Sequence, residues 1–378
     1  MPVISARAIT ISQSTSDLPL RSSLQTYGSS TTTRAVRSIA VVFNSESSSV
    51  VVLAGGVGAA RFLRGLALVH NPKATTALVN TGDDTILHGL NISPDIDTVI
   101  YTLSEAIDQV RGWGLSNETW RAMESLKKYV DVRPDGSSAA TEWFNLGDQD
   151  LATHFYRTAR RSEGADASQI TSEIARAWKV AQRVVPMTNN DVATLVELAQ
   201  DCQAGKAGEQ ISFQEYFVKH HHNVAVRAIY FKGAQTAKAN CLDELQQAEV
   251  IVIAPSNPIV SIGPIRALNG IDNLLIANRN KVVAISPIVG GLALKGPADR
   301  MLTELGHESS ALGVARLYAS IASTIIIDNV DAELKDAIER EGVRCIVTNT
   351  VMSDQKIAAE LALTTLNSVI GKQIGQQK

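Results

Sequence analysis

The chain has 378 residues, 45% hydrophobic and 5% aromatic, with a formal net charge of -3 and a pI near 6.2. That leaves room for one large domain or two small ones. The charge balance argues against a nucleic-acid partner, and with no apolar run long enough to cross a bilayer, no membrane partner is expected either. Cys202, Cys241 and Cys345 are widely spaced and form no C-x-x-C. This argues against a zinc site or a disulfide framework and for a reduced, intracellular, cytoplasmic setting.

The amino terminus stands apart. The first 49 residues hold 13 serines, four arginines and two acids, Asp17 and Glu46, with no apolar period. Residues 1–48 are expected to be a disordered tail, a start placed too early, or an Arg- and Ser-rich transit-like segment. The globular domain is expected over 49–378.

That domain opens on "VVLAGGVGAARFLRG", residues 51–65. Val50 to Ala54 predict a short buried strand. Gly55, Gly56 and Gly58 permit a sharp turn and a close approach. From Ala59 the pattern is helical, with Phe62, Leu63 and Leu66 on one face. A strand-glycine-helix turn directs N–H groups at one point, which suits a phosphate. A plain tight turn is the alternative. No Lys-Ser/Thr follows, and Arg61 stands where a dinucleotide fingerprint has its third glycine.

The second strand is expected at 75–79, followed by "NTGDDT", Asn80 to Thr85. Adjacent carboxylates at a strand end are costly unless water, donors or a cation compensate. Such ligands suit Mg²⁺, and an ordinary Asp turn is the other reading. In "SPDIDTVIYTLSEAI", Ser93 is a good N-cap and Pro94 suits the first helical position. Ile96, Val99, Ile100, Leu103 and Ile107 mark the buried face. Asp95 and Asp97 fall in an exposed first turn, where capping accounts for both, or Asp97 projects past the helix start and accepts a hydrogen bond from a ligand.

Residues 105–245 read as an inserted, mainly helical subdomain, with "GSSAA" at 136–140 as a surface loop. In "WFNLGDQDLATH" Asp148 or Asp150 caps the helix that follows, unless the loop meets a ligand. His220 to His222 sit on a segment read as extended, where neighbours alternate faces and cannot share one ion. Further strands are expected at 250–254, 281–285, 324–328 and 343–347. The loop "APSNPIVSIGP" offers Ser256 and Asn257 as donors, and "SPIVGGLALKGPAD" offers Ser286, Gly290 and Gly291, with Lys295 adding a positive charge. The alternation of strands and helices implies an α/β fold, a three-layer Rossmann-like parallel sheet. Ligands of such sheets bind beyond the carboxyl ends of the strands.

Taken together, the motifs resemble the 2-phospho-L-lactate transferase family of coenzyme F-420 biosynthesis. "LAGGVGAARFLRGL", "NTGDD", "SPDIDTVIYTL", "RGWG" with "ETW", "WFNLGDQDLATH", "QEYFVK", "APSNPIVSIGPI", "SPIVGG" and "KGPAD" occur in the family's order over about 50 to 355. The resemblance implies transfer of a phosphate-linked three-carbon acid (lactyl, enolpyruvyl or glyceryl) from a guanosine diphosphate adduct to the deazaflavin Fo. The Fo hydroxyl attacks phosphorus and GMP leaves. Mg²⁺ dependence and a homodimer are implied too.

By the same resemblance, Gly55, Gly56, Gly58, Ser256, Asn257, Ser286, Gly290 and Gly291 would hold the guanosine diphosphate part. Asp83 and Asp84 would hold Mg²⁺ or help deprotonate the attacking hydroxyl, and Asp97 and Asn145 match Fo contacts. The chain departs from the family's pattern at Gln149, usually Arg or Lys, and at Asn189 and Asn190, usually two Asp. Asn190 can still ligate Mg²⁺ but brings no charge. A related group of non-enzymatic, nucleotide-sugar-binding regulators shares the glycine turn and Asp pair. The residues after the pair, Thr85 to His88, and the PDIDT and GDQD segments favour the transferase.

Overall fold

Strand β1 (Val50–Ala54) and β2 (Thr75–Val79) lie where the apolar runs predict them. A hairpin of β3 (Thr85–Leu87) and β4 (Leu90–Ile92) follows, then β5 (Arg183–Pro186). Next come β6 (Ala193–Leu198), β7 (Gln210–Ser212) and β8 (Val226–Lys232), which form an antiparallel sheet of their own. The chain continues through β9 (Val250–Ile253) and β10 (Val282–Ile285) to a hairpin of β11 (Ile288–Val289) and β12 (Leu292–Ala293). It ends in β13 (Thr324–Asp328), β14 (Arg344–Thr348) and the long helix Gln355–Gly375. The computed structural model describes residues 48–375 apart from 136 and 138. The tail expected over 1–48, save Ser48, and part of the 136–140 loop therefore lie outside the described residues.

The main sheet has seven strands in the order β14-β13-β10-β9-β1-β2-β5. Every neighbouring pair is parallel. Residues of each central strand alternate between two cores because the strand's period is two. Val50, Val52 and Ala54 pack with Phe62, Leu63, Leu66 and Ile100 on one face. Val51 and Leu53 pack with Leu245, Leu275 and Tyr318 on the other. The three-layer α/β arrangement is thus the one the alternation implies.

The middle region is richer in strand than its pattern suggests. It supplies β5, the edge of the main sheet, and the β6–β8 trio as well as helices. β5 was missed because "RVVP" is only four residues long and ends in Pro186, a residue tolerated at a sheet edge. No helix among the described residues is long and apolar enough to cross a membrane.

Helix α1 (Gly56–Val69) leaves β1, and α2 (Pro94–Leu103) packs beside it. Chain direction across the sheet reverses between β1 and β9, which pair from Val50↔Val250 to Leu53↔Ile253. The crevice beyond their carboxyl ends is the switch point of the fold.

Gly65 of α1 lies directly against Ala358 of the C-terminal helix. A Cβ there would run into the Ala358 backbone and its side chain. Gly65→Ala is expected to lower stability by about 1–3 kcal/mol through overpacking. Urea unfolding of the two proteins checks it.

Candidate functional site

Asn80 ends β2 and organises the crevice. It is fully buried. Its backbone N–H donates to Ala54 O (2.9 Å), and its Oδ1 accepts the Gly82 N–H (2.8 Å). Its Nδ2 donates to Asp95 Oδ2 (3.0 Å) and to Val260 O (3.4 Å). One side chain therefore joins the loops after β2 and β9 to the start of α2.

Around it gather four carboxylates. Asp83, Asp95 and Asp97 are buried, while Asp84 keeps surface open to solvent. Burial, then the charges of Asp95 and Asp84, holds the Asp83 carboxyl well above the ordinary range, with the neighbouring polar side chains of Asn80 and Thr194 opposing. Its Oδ1 is buried with no hydrogen-bond partner, and Gln214 Nε2 donates to its backbone carbonyl (3.2 Å). Burial also raises Asp95, opposed by Asn80 and the Gly56 N–H. Asp84 is raised by the protein packed round it, with the Ser93 hydroxyl and Arg157 opposing. Water at its open surface screens part of that rise. Ser93 stands at the N-cap position of α2, but its hydroxyl makes no cap. It donates instead to Asp84 Oδ2 (2.8 Å).

Asp97 is not in an exposed turn, as its place in the sequence suggested. It is 5% exposed and ion-paired to Arg157, which reaches across from helix α3 (Asp150–Ser162). The Arg157 guanidinium also lies 3.1 Å from His154 Nδ1 and donates to Asn91 O (3.4 Å). Tyr101 donates to Asp150 Oδ1 (2.6 Å). Asp97, Asp150 and His154 form the one group of three or more His, Cys, Asp or Glu among the described residues with metal-compatible spacing, their ligand atoms lying within 4.8 Å of one another. Arg157 already supplies positive charge there. None of Arg157, His154 and Asp95 stood out as a site residue in the sequence.

The glycine turn has a packing reason at each position. Gly56 has φ +70°, which favours glycine. A Cβ on Gly55 would meet Ser261 Cβ at 2.7 Å and Asp95 Oδ2 at 3.0 Å, and one on Gly58 would strike the Pro255 carbonyl. The Asp95 carboxylate lies against the turn, its Oδ1 3.6 Å from where a Cβ on Gly56 would stand, and the Gly56 N–H faces it.

The other expected phosphate contacts lie in loops at the carboxyl edge of the sheet, and they have partners within the fold. Ser256 Oγ donates to Gly55 O (2.7 Å). Asn257 Oδ1 accepts the Ile259 N–H (2.9 Å). Ser286 Oγ donates to Ile288 O (2.9 Å). The Gly290 N–H donates to Asp331 (3.1 Å), and Gly291 O accepts from Ser309 Oγ (2.9 Å).

Asn190 is exposed, and its Oδ1 accepts the Lys238 N–H (2.9 Å), so its side chain is turned to the 238 loop. Asn145 is exposed and makes no hydrogen bond among the described residues. Asp148 caps the preceding helix, Arg121–Leu126, accepting from Arg121 and Ala122 N–H. Glu118 in turn accepts from the Gln149 and Asp150 N–H groups at the start of α3. The expectation that Asp148 caps its own following helix is thus replaced by an exchange of caps between two loops. His220 to His222 do not run extended, for His221 and His222 have φ of +48° and +45°.

Known proteins give this geometry a lineage. The family described as 2-phospho-L-lactate transferase CofD matches residues 50–360. The chain belongs to that family. A phosphoenolpyruvate transferase of Kitasatospora aureofaciens is 39% identical over 321 residues, covering 84% of this chain and 96% of its own. One from Streptomyces griseus is 40% identical over 320 residues, covering 84% and 97%. A crystal structure of a Bacillus halodurans protein superposes with a TM-score of 0.52 at 16% identity, over 85% of this chain and all of that one. That likeness shows the fold alone. The carboxylate crevice and its Arg157 wall both lie within the residues 50–360 that the family matches.

Removing Arg157 leaves Asp97 buried without its cation. Arg157→Ala is expected to cost about 3–5 kcal/mol, and adding Asp97→Asn should recover part of it. A double-mutant cycle by urea denaturation reads the coupling, and strictly additive effects would show that the pair is not coupled.

Proposed function

We propose that the chain transfers a phosphoenolpyruvyl group from a guanosine diphosphate adduct to the side-chain hydroxyl of Fo, forming the dehydro form of F-420-0 and releasing GMP. One observation carries the reading. The carboxylate crevice at the β1/β9 switch point lies within residues 50–360, which the family matches, and relatives named phosphoenolpyruvate transferases are 39–40% identical over 84% of the chain. The names favour the enolpyruvyl donor over the lactyl and glyceryl ones.

In the reaction, the Fo oxygen bonds to the phosphorus that carries the three-carbon acid. The bond from that phosphorus to the bridging oxygen breaks, and GMP leaves with the electron pair. The hydroxyl proton must go to a base. Asp84, open to the crevice and steadied by Ser93, is placed for that task, and its raised affinity for protons suits it. Asp97, oriented by Arg157, is assigned to Fo. Its burial means that it acts from the crevice wall rather than from an exposed tip. Asn145 remains a candidate second contact on the exposed loop before α3.

The crevice fits Mg²⁺. The buried Asp83 Oδ1 without a donor, beside Asp84 and Asp95, is the arrangement that a hard cation satisfies. Asp83 and Asp84 would hold it. When bound, the ion would offset the charge on the phosphates. Asn190, turned to Lys238, is a weaker candidate for that role. The protein is proposed to work as a cytoplasmic homodimer.

Asp84→Asn keeps the Ser93 hydrogen bond but removes the base and one charged ligand for the ion. It is expected to lower kcat by at least about 100-fold, within the range of general-base loss, with the fold intact. An anaerobic assay with Fo, Mg²⁺ and each of the three guanosine donors, read by mass spectrometry of the deazaflavin, checks it. Wild-type inactivity with all three donors would overturn the transferase reading. Asp97→Asn, which keeps the shape of the buried pair, is expected to raise the KM for Fo and leave that for the donor unchanged.

A further inference from the structure

The crevice poses an electrostatic problem. A guanosine diphosphate adduct is a polyanion, yet four carboxylates line the place where it reacts, and one of them, Asp95, already faces the Gly56 N–H of the glycine turn. Mg²⁺ held by Asp83 and Asp84 would offset part of that charge, and the protein's own positive charge for the donor has to come from beside the turn rather than from it.

The first turns of α1 supply it. Val57 packs near Gly112 of the "RGWG" loop, and the Lys295 ammonium lies over the same glycine. Lys295 donates to Arg111 O (3.4 Å). Gly112 has φ +77°, and a side chain there would collide with the ammonium. The loop is therefore shaped to let Lys295 reach α1. Arg61 lies one turn beyond Val57 on the same face of the helix. It has no hydrogen bond or ion pair among the described residues, and Lys295 has no carboxylate partner there. Arg64, one residue short of a further turn, keeps its Nε buried and without a hydrogen bond.

These cations work against one another. Arg61 lowers the proton affinity of both Lys295 and Arg64, in each case behind burial as the larger cause. Arg111, by contrast, is engaged. It pairs with Asp108 (3.0 Å) and lies 5.5 and 5.4 Å from the ring centres of Trp113 and Trp120. Glu105 offsets part of the charge at Arg64, whereas Arg61 and Lys295 have no ion pair among the described residues, and two like charges left in this way beside the start of α1 form a receptor for an anion.

We propose that Arg61 and Lys295 form the subsite for the donor's diphosphate, with Gly112 kept free of a side chain so that Lys295 can reach it. This rests on the donor being a guanosine diphosphate adduct. The two cations face the leaving GMP and the bridging oxygen, while the carboxylates face the attacking hydroxyl. The subsite selects diphosphate esters over uncharged nucleosides and has no use for the identity of the base.

The test uses the full chain and GDP, which carries the diphosphate but not the three-carbon acid. Titration calorimetry with Mg²⁺ present is expected to give a Kd for GDP weakened about tenfold or more in Lys295→Ala and in Arg61→Ala, as loss of a charge-assisted contact implies. Arg61→Lys should restore part of the affinity. Fo binding should be unchanged in all three. Lys295 is exposed in a loop, so its variant is expected to fold even if Arg61→Ala does not. GDP affinity equal to wild type in Lys295→Ala and in a folded Arg61→Ala would overturn the proposal. So would intact GDP binding with a raised KM for the complete donor, which would move the subsite to the three-carbon carboxylate. If wild type binds GDP through these residues but turns over no Fo with any donor, the subsite stands and the transferase reading fails.

Discussion

The geometry of the crevice depends on the single buried amide of Asn80. Three loops with different origins in the chain end at this one side chain, and each takes a hydrogen bond that only an amide can give or receive in that combination. A carboxylate of the same shape could accept from Gly82 but could not donate to Asp95 or Val260. A hydrophobic residue would deprive the buried Asp95 of its side-chain donor. Because the amide is fully satisfied, it gains the stabilising side of the low interior dielectric and avoids the penalty of an unmet partner. The acidic cluster is assembled on this neutral pin, with Arg157 as the balancing cation from the far wall.

That balance explains why the cluster is tolerated. Asp97 and Arg157 are both buried, and each would be costly alone. Together, with His154 and Asn91 O taking the remaining guanidinium contacts, they become a rigid wall. The same wall orients Asp97 without giving it a surface position. Asp84 is held differently. One hydroxyl, from Ser93, fixes it while its other side stays open. Two carboxylates separated by thirteen positions in the chain thus receive different environments, one fixed by a buried cation and one left accessible, and different environments allow different roles.

The fold was largely legible because its signals are local. Runs such as "VVVLA" and "TIIID" are buried on both faces of a parallel sheet and so read as continuous apolar segments. β5 was hidden by its length and by Pro186. The β6–β8 sheet was hidden in a region whose helical stretches dominate the pattern. The site was only partly legible. Asp83, Asp84 and Asp97 were visible as acids at a strand end and a helix start. Arg157 was not, because an arginine sixty positions from its partner carries no local sign of pairing. Asp95 looked like a helix cap, and its contact with Gly56 is a product of the α1–α2 packing. Ser256, Asn257 and Ser286 were visible as polar residues in ligand-facing loops. A loop at a strand's carboxyl end must also satisfy its own backbone, and their side chains do that work.

The glycine turn shows how one signal serves two masters. Its three glycines are required by Ser261, Asp95 and Pro255 at close range and by a positive φ at Gly56, whether or not a phosphate ever rests there. Close approach of backbone to backbone and close approach of backbone to ligand leave the same mark on the sequence. What separates them is charge. A turn whose amide faces a carboxylate cannot by itself attract an anion, so recognition of a phosphorylated donor has to be shared with cations that the turn only positions. The helix that begins at Gly56 does this by carrying Arg61 one turn past Val57, on the face that meets Lys295. Sequence spacing sets that register, and the sheet's switch point sets where it faces.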